Sequence, residues 1–197
     1  MIDKILSTYK VVLASASPRR REILSLLSIK SEIRVSDVAE PITDEDPALQ
    51  AMKHARNKFL EISQNAGKDE FIIAADTIVV LDGRILGKPR DEAEAQEFLR
   101  ALSGNTHTVI SGICVGTCRN LQCAYESTVV QFARLSDAEI ADYILTLEPL
   151  DKAGAYGIQG FGSQFITRLE GCYFNVMGFP VRKFYETLQS MKQEGSL

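Results

Sequence analysis

One junction sets the fold: Lys10-Val11-Val12-Leu13-Ala14-Ser15-Ala16-Ser17-Pro18-Arg19-Arg20-Arg21. Lys10 to Ala14 is an apolar, β-branched run of strand type. Pro18 carries the fixed φ that suits a first helical turn, with Ser17 at the N-cap, and Ile23, Leu24, Leu26 and Leu27 give that helix an apolar side. A strand therefore ends in a serine turn and a helix opens beside hydroxyls and guanidinium groups. Free N–H groups, the positive end of the helix dipole and Arg forks all favour an anion there, so the junction reads as a phosphate cradle. The plainer reading is a capped surface helix with solvated arginines. Successive helical residues step by about 100°, so Arg19, Arg20 and Arg21 cannot all face one ligand, and Arg21 is expected at the surface.

Working outward, strands and helices alternate. Ser31 to Ser36 reads as a strand that leads into the acidic loop Asp37 to Asp46. Asp46-Pro47 opens a second helix that stops near Gly67. Its expected apolar stripe is Leu49, Met52, Phe59 and Ile62, with Lys53, Arg56 and Lys58 on the polar side. Phe71 to Ala75 is wholly apolar and reads as a buried central strand ending at Asp76 and Thr77. Ile78 to Gly87 around Asp82-Gly83 reads as a hairpin. Asp91 with Glu94 starts a third helix that Gly104 ends, and Thr106 to Arg134 gives two long β segments around Arg119-Asn120. Ser136 with Glu139 caps a fourth helix, with the stripe Ile140, Tyr143, Ile144 and Leu147. A glycine-rich loop, 151 to 160, precedes two short strands near Gln164–Leu169 and Cys172–Val176, and a last helix follows Pro180. The class is α/β with a mixed, twisted sheet, expected as a single domain over residues 1–197.

Composition narrows the function. The chain is ordinary for a globular protein at 45% hydrophobic and 24% charged residues, and no run approaches a membrane span. The N-terminus carries Asp3 and Lys4 and no apolar signal core, so a cytoplasmic location is expected. The net charge of −4 argues against a nucleic-acid coat but not against a small polyanion in a locally positive cleft. Cys114, Cys118, Cys123 and Cys172 fit no zinc spacing. Asp76 is the chemically telling residue. A carboxylate after an apolar strand is costly unless it is hydrogen-bonded, metal-bound or open to a cleft, though a turn-stabilising Asp is the simpler alternative. Lys58 and Lys88 gain weight as phosphate contacts only jointly with the arginine turn.

Separate motifs in order carry a family resemblance: Leu13 to Arg20, Ala75-Asp76-Thr77-Ile78-Val79, Gly87-Lys88-Pro89, Leu102-Ser103-Gly104 with His107, and Pro149 to Gly160. With these the chain resembles the Maf family of nucleoside triphosphate pyrophosphatases over nearly its full length. The resemblance implies two lobes around a cleft, of the Maf and inosine-triphosphatase kind. It implies hydrolysis between the α and β phosphates with Asp76 as proton acceptor. A divalent cation, Mg²⁺ or Mn²⁺, would sit on Asp76 and Glu40, and phosphates would meet Ser15, Arg20, Lys58 and Lys88. Arg19, Thr77 and Gln159 match the branch acting on dTTP and UTP. Gln159 offers a donor and an acceptor suited to the O4 and N3–H edge of uracil or thymine. Homodimerisation is a further expectation of the resemblance. The chain departs from the family pattern on the second helix, with Lys53-His54-Ala55 where Arg-Leu-Ala is frequent. Two other readings stay open: specificity for 7-methyl-GTP or another modified nucleotide, and a nucleotide-sensing regulator of cell division.

Overall fold

The computed structural model describes all residues, Met1–Leu197. A short helix α1 (Ile2–Ile5) precedes strand β1 (Lys10–Leu13), helix α2 (Pro18–Leu26) and strand β2 (Ser31–Ile33). Helix α3 (Pro47–Ser63) leads to the long strand β3 (Glu70–Leu81), which turns into β4 (Arg84–Leu86). Then come α4 (Glu92–Leu102), β5 (Thr106–Gly116), β6 (Leu121–Phe132), α5 (Asp137–Leu145), β7 (Ile166–Glu170), α6 (Tyr173–Val176) and α7 (Val181–Gln193).

The seven strands form one mixed sheet in the order β2-β1-β3-β5-β6-β7, with β4 also on β3. β1 runs parallel to β2 and β3, and the pairs from β3 to β5, β6 and β7 are antiparallel. Local chemistry explains most boundaries. The Asp46 carboxylate accepts the N–H groups of Ala48 and Leu49 at the start of α3. Ser136 and Glu139 form a reciprocal capping box on α5. Asp82 and Gly83 take φ of 49° and 79°, the left-handed pair that a two-residue hairpin turn requires.

Two cores lie at opposite ends of β3. One gathers Phe71, Ile73 and Ala75 with Leu13, Ile23, Phe179 and Phe184; the other gathers Val79 and Leu81 with Phe98, Leu102, Tyr143 and Phe165. Between them lie Asp76 and Thr77. A third cluster, with Ile72, Ala74 and Cys114, seats α3 on the other face of the sheet through Ala55 and Phe59. Alternate residues of β3 thus serve opposite faces, as strand geometry demands.

Several local expectations change. β3 does not end at Asp76 but runs through it, because β5 pairs with it from Ile72 to Val80. α3 presents Gln50, Ala51, His54, Ala55, Lys58 and Phe59 inward, while Leu49 is exposed, so Lys58 belongs to the buried face. α3 ends before Gly67, and β2 is only three residues long. Leu147 is exposed with φ of 60°, outside the α5 stripe. Cys172–Val176 is not a strand, because Tyr173–Val176 coils into a helical turn whose Asn175 side chain donates to Val109 O and Thr128 Oγ1.

Candidate active site

The site begins as a gap in the sheet. On one side, β5 pairs with β3 continuously past Asp76. On the other side, β1 pairs with β3 only as far as Ile73, and β4 pairs with it only from Val79 onward. Residues 74–78 therefore have no strand on that flank. The loop leaving β1 at Ala14 carries Ser15 into the space and starts α2 there. This is where an α/β sheet opens to a ligand, beyond the carboxyl end of a parallel strand. A cavity of about 610 Å³ occupies the gap, within the usual range for small-molecule sites.

Ser15 anchors the cradle. Its hydroxyl accepts the Ser17 N–H at 3.2 Å and Arg20 Nη1 at 2.9 Å. The Ser17 side chain makes no capping bond, and Ser15 instead braces the turn that precedes the helix. Arg20 is buried and uses its other nitrogens on Gly178 O at 2.9 Å and Thr77 Oγ1 at 3.2 Å. Thr77 Oγ1 also meets Ser111 Oγ at 2.8 Å, and Ser111 Oγ donates to Asn175 O. Arg20 thus locks four segments together at the cleft. Burial pulls its pKa down, while the charges of Asp76 and Glu40 pull it up. Arg21 is exposed, as the helical geometry predicts.

Asp76 faces α3. Its Oδ2 meets His54 Nδ1 at 3.1 Å and its Oδ1 accepts from Lys58 Nζ at 2.8 Å. Lys58 Nζ also pairs with Glu40 Oε1. Burial by itself would raise the Asp76 pKa, but the His54 hydrogen bond and the charges of Lys58 and Arg20 outweigh it and hold the carboxyl below its ordinary value. The second nitrogen of His54, Nε2, faces Pro41 O at 3.2 Å. Both partners are acceptors, so the doubly protonated ring satisfies both, and the hydrogen bond to Asp76 raises the His54 pKa.

Gly112 makes this closeness possible. It pairs with Asp76 across β3 and β5, and a Cβ there would lie 2.4 Å from the backbone C and O of Ala51 on α3. The helix lies directly on the sheet at that point. Positions 51, 54, 55 and 58 share its inner face, which delivers His54 and Lys58 to Asp76. The sequence pattern gives no role to His54 or Gly112. The signal available was that same spacing, with small Ala51 and Ala55 flanking His54.

The remaining candidates divide. Arg19 lines the cleft, its Nη1 3.8 Å from Asp151 Oδ2, and Lys88 lines it exposed and without an ion pair. Glu40, Thr77, Lys58 and Ser15 also line it. Gln159 does not; its half-buried side chain follows the lining residues Gly157 and Ile158. The glycine-rich loop is pinned from beneath, where Gly157 N donates to Tyr143 Oη and Gly162 N donates to Glu148. The cleft holds five Lys and Arg against three Asp and Glu, so it is locally positive on an acidic chain.

The match of residues 10–191 to the family model described as Maf-like protein agrees with this site. The chain belongs to the Maf-like family. A dTTP/UTP pyrophosphatase of Caldicellulosiruptor saccharolyticus is 46% identical over 92% of this chain and 94% of its own length. One from Alkaliphilus oremlandii is 47% identical over 92% and 95%, and one from Aquifex aeolicus 41% identical over 92% and 95%. Among solved structures, the Staphylococcus aureus Ham1 protein covers 80% of this chain and 79% of its own at 16% identity, with a TM-score of 0.47. That likeness is too loose to add to the assignment. Within this Maf-like chain, the cleft gathers four of the five recognised motifs, and the fifth lies just behind it: His107 Nε2 meets Tyr156, a cleft residue, at 2.7 Å.

Proposed function

We propose that this Maf-like chain hydrolyses dTTP and UTP, 5-modified uridine triphosphates included, to the nucleoside monophosphate and pyrophosphate. It thereby clears such nucleotides from the pool. The observation that carries the reading is Asp76, held ionised in the gap of the sheet with Lys58, His54 and Arg20 around it. The dTTP/UTP pyrophosphatases at 41–47% identity supply the substrate class.

Arg19 and Lys88 line the cleft with little or no pairing of their own, and they would meet the phosphates first. The α2 N-terminus adds N–H donors that have no partner within the helix. Arg20, held by Ser15, Thr77 and Gly178, sets the shape of this cradle and the field on Asp76. Asp76, held ionised, would accept a proton from the attacking water, and its depressed pKa makes it a weak base on its own. A divalent cation on Asp76 and Glu40 would neutralise phosphate charge and acidify that water. The donor set fits such an ion, because the Lys58 ammonium already stands where the two carboxylates converge. No three His, Cys, Asp or Glu side chains converge on one point, so phosphate oxygens and water must complete the coordination, as is usual for Mg²⁺. Arg19, Thr77 and Gln159 are proposed to select the pyrimidine. Gln159 reaches the base only if the segment after Ile158 turns inward.

The proposal includes a cytoplasmic enzyme acting on free nucleotides as a homodimer, with no nucleic-acid or membrane partner. No helix of the chain is long and apolar enough to cross a membrane. The test is pyrophosphate release from a panel of triphosphates with Mg²⁺ or Mn²⁺, wild type beside Asp76→Asn. Turnover of dTTP and UTP is expected to fall by about a thousandfold in the variant, with nucleotide binding retained. Near-normal turnover by Asp76→Asn, or a profile led by a methylated guanine nucleotide, contradicts the proposal.

A further inference from the structure

Lys58 is doing something that a phosphate-binding lysine need not do. Its Nζ lies 2.8 Å from Asp76 Oδ1, pairs with Glu40 Oε1 and lies 3.4 Å from the Ala75 carbonyl oxygen. Three oxygens, two of them carboxylate, converge on one buried cation. Hard oxygen donors gathered in this way are what a divalent ion takes. An ammonium and a divalent ion cannot share that point, because like charges a few ångströms apart in a buried site repel strongly.

We propose that Lys58 is a built-in stand-in for the divalent cation: its ammonium occupies the Asp76–Glu40 point until a triphosphate arrives, then moves to a phosphate oxygen as the metal takes its place. The inference rests on the metal-assisted reading above and assigns Lys58 a regulatory part in it. Without nucleotide, a displaced ammonium has no free anion to receive it. The other carboxylate in the cleft, Asp151, is already paired with Lys152 at 2.6 Å. The triphosphate supplies the missing partner. Metal and nucleotide therefore bind synergistically, and by linkage each tightens the other by the same factor. The device also keeps Asp76 neutralised, and the cleft closed to stray metal, between turnovers.

The test measures Mn²⁺ affinity from the free-ion electron paramagnetic resonance signal. It is run with and without a dUTP analogue bearing a methylene bridge between the α and β phosphorus atoms, on wild type, Lys58→Met and Lys58→Gln. Wild type is expected to hold Mn²⁺ about tenfold or more tightly with the analogue than without it. Both variants are expected to hold Mn²⁺ alone about tenfold more tightly than wild type, with a smaller gain from the analogue. The stand-in role is overturned if the variants bind Mn²⁺ alone no better than wild type while the analogue still recruits Mn²⁺ to all three proteins. It is equally overturned if wild type binds Mn²⁺ as well without the analogue as with it, a comparison that needs no variant to fold. If no protein binds Mn²⁺ under either condition, the metal-assisted reading itself fails and the stand-in role fails with it.

Discussion

His107 ties the stability of the site to acid. The residue is 2% exposed, its ring is stacked edge-on against Phe132 and bonded through Nε2 to Tyr156 Oη at 2.7 Å, and its Nδ1 has no partner. A protonated ring would bury a charge with one N–H unanswered, so burial pushes the pKa down from 6.5 to about 4. The folded value lies below the unfolded one, so the unfolded chain binds the extra proton. The resulting stability is complete above about pH 6.5 and drains away as pH falls towards 4. A shift of that size is worth about 3 kcal/mol at 1.36 kcal/mol per unit, a large part of a typical domain's stability. The assay is urea unfolding of wild type and His107→Gln at a series of pH values from 7 to 4. Taking the difference between the two proteins cancels the other titrating groups. The variant should be the less stable at pH 7, and its deficit should shrink by about 3 kcal/mol by pH 4. A deficit that stays constant over that range refutes the argument, as does a His107 NMR titration with an ordinary midpoint. The consequence reaches function because Tyr156 lines the cleft.

Other outcomes are as definite. Gly112→Ala places a methyl 2.4 Å from the Ala51 backbone, which cannot rotate aside, and should cost about 3 kcal/mol in urea unfolding. Where the variant still folds, α3 moves off Asp76 and kcat should fall by about a hundredfold; unchanged kcat would separate α3 seating from chemistry. Arg20→Lys replaces a guanidinium serving three acceptors with an ammonium that cannot match their fork, and should lower stability by about 2 kcal/mol and raise KM; a wild-type melting temperature would contradict this. Gln159→Ala should raise KM for UTP with kcat largely kept, and an unchanged KM would remove Gln159 from base selection.

Much of the candidate site was legible in the sequence because its parts lie in short, chemically marked segments. The serine turn before Pro18, the acidic residue closing an apolar run and the glycine-rich loop each advertise themselves locally. Arg20 was legible as a cation, but its engagement by Ser15, Thr77 and Gly178 was not, since Gly178 lies 158 residues further along the chain. The spacing puts Lys58 on the polar face of α3, whereas the structure buries it. A helix with small residues on one side has no unique apolar stripe, and Leu49 competed with Ala51 and Ala55 for the core.

The sequence by itself determined the alternation of strands and helices from β1 to α5, the hairpin at Asp82-Gly83, the caps at Asp46 and Ser136 and the α/β class, since all depend largely on interactions within a few residues. Only the tertiary structure decided that β3 continues through Asp76, that α3 turns His54 and Lys58 towards it, and that a gap opens between β1 and β4. Those features depend on pairing partners far along the chain: β5 holds β3 extended, and Gly112 lets the helix touch the sheet. Helix rotation and strand extent are settled by whole packed faces, which no window of the sequence contains.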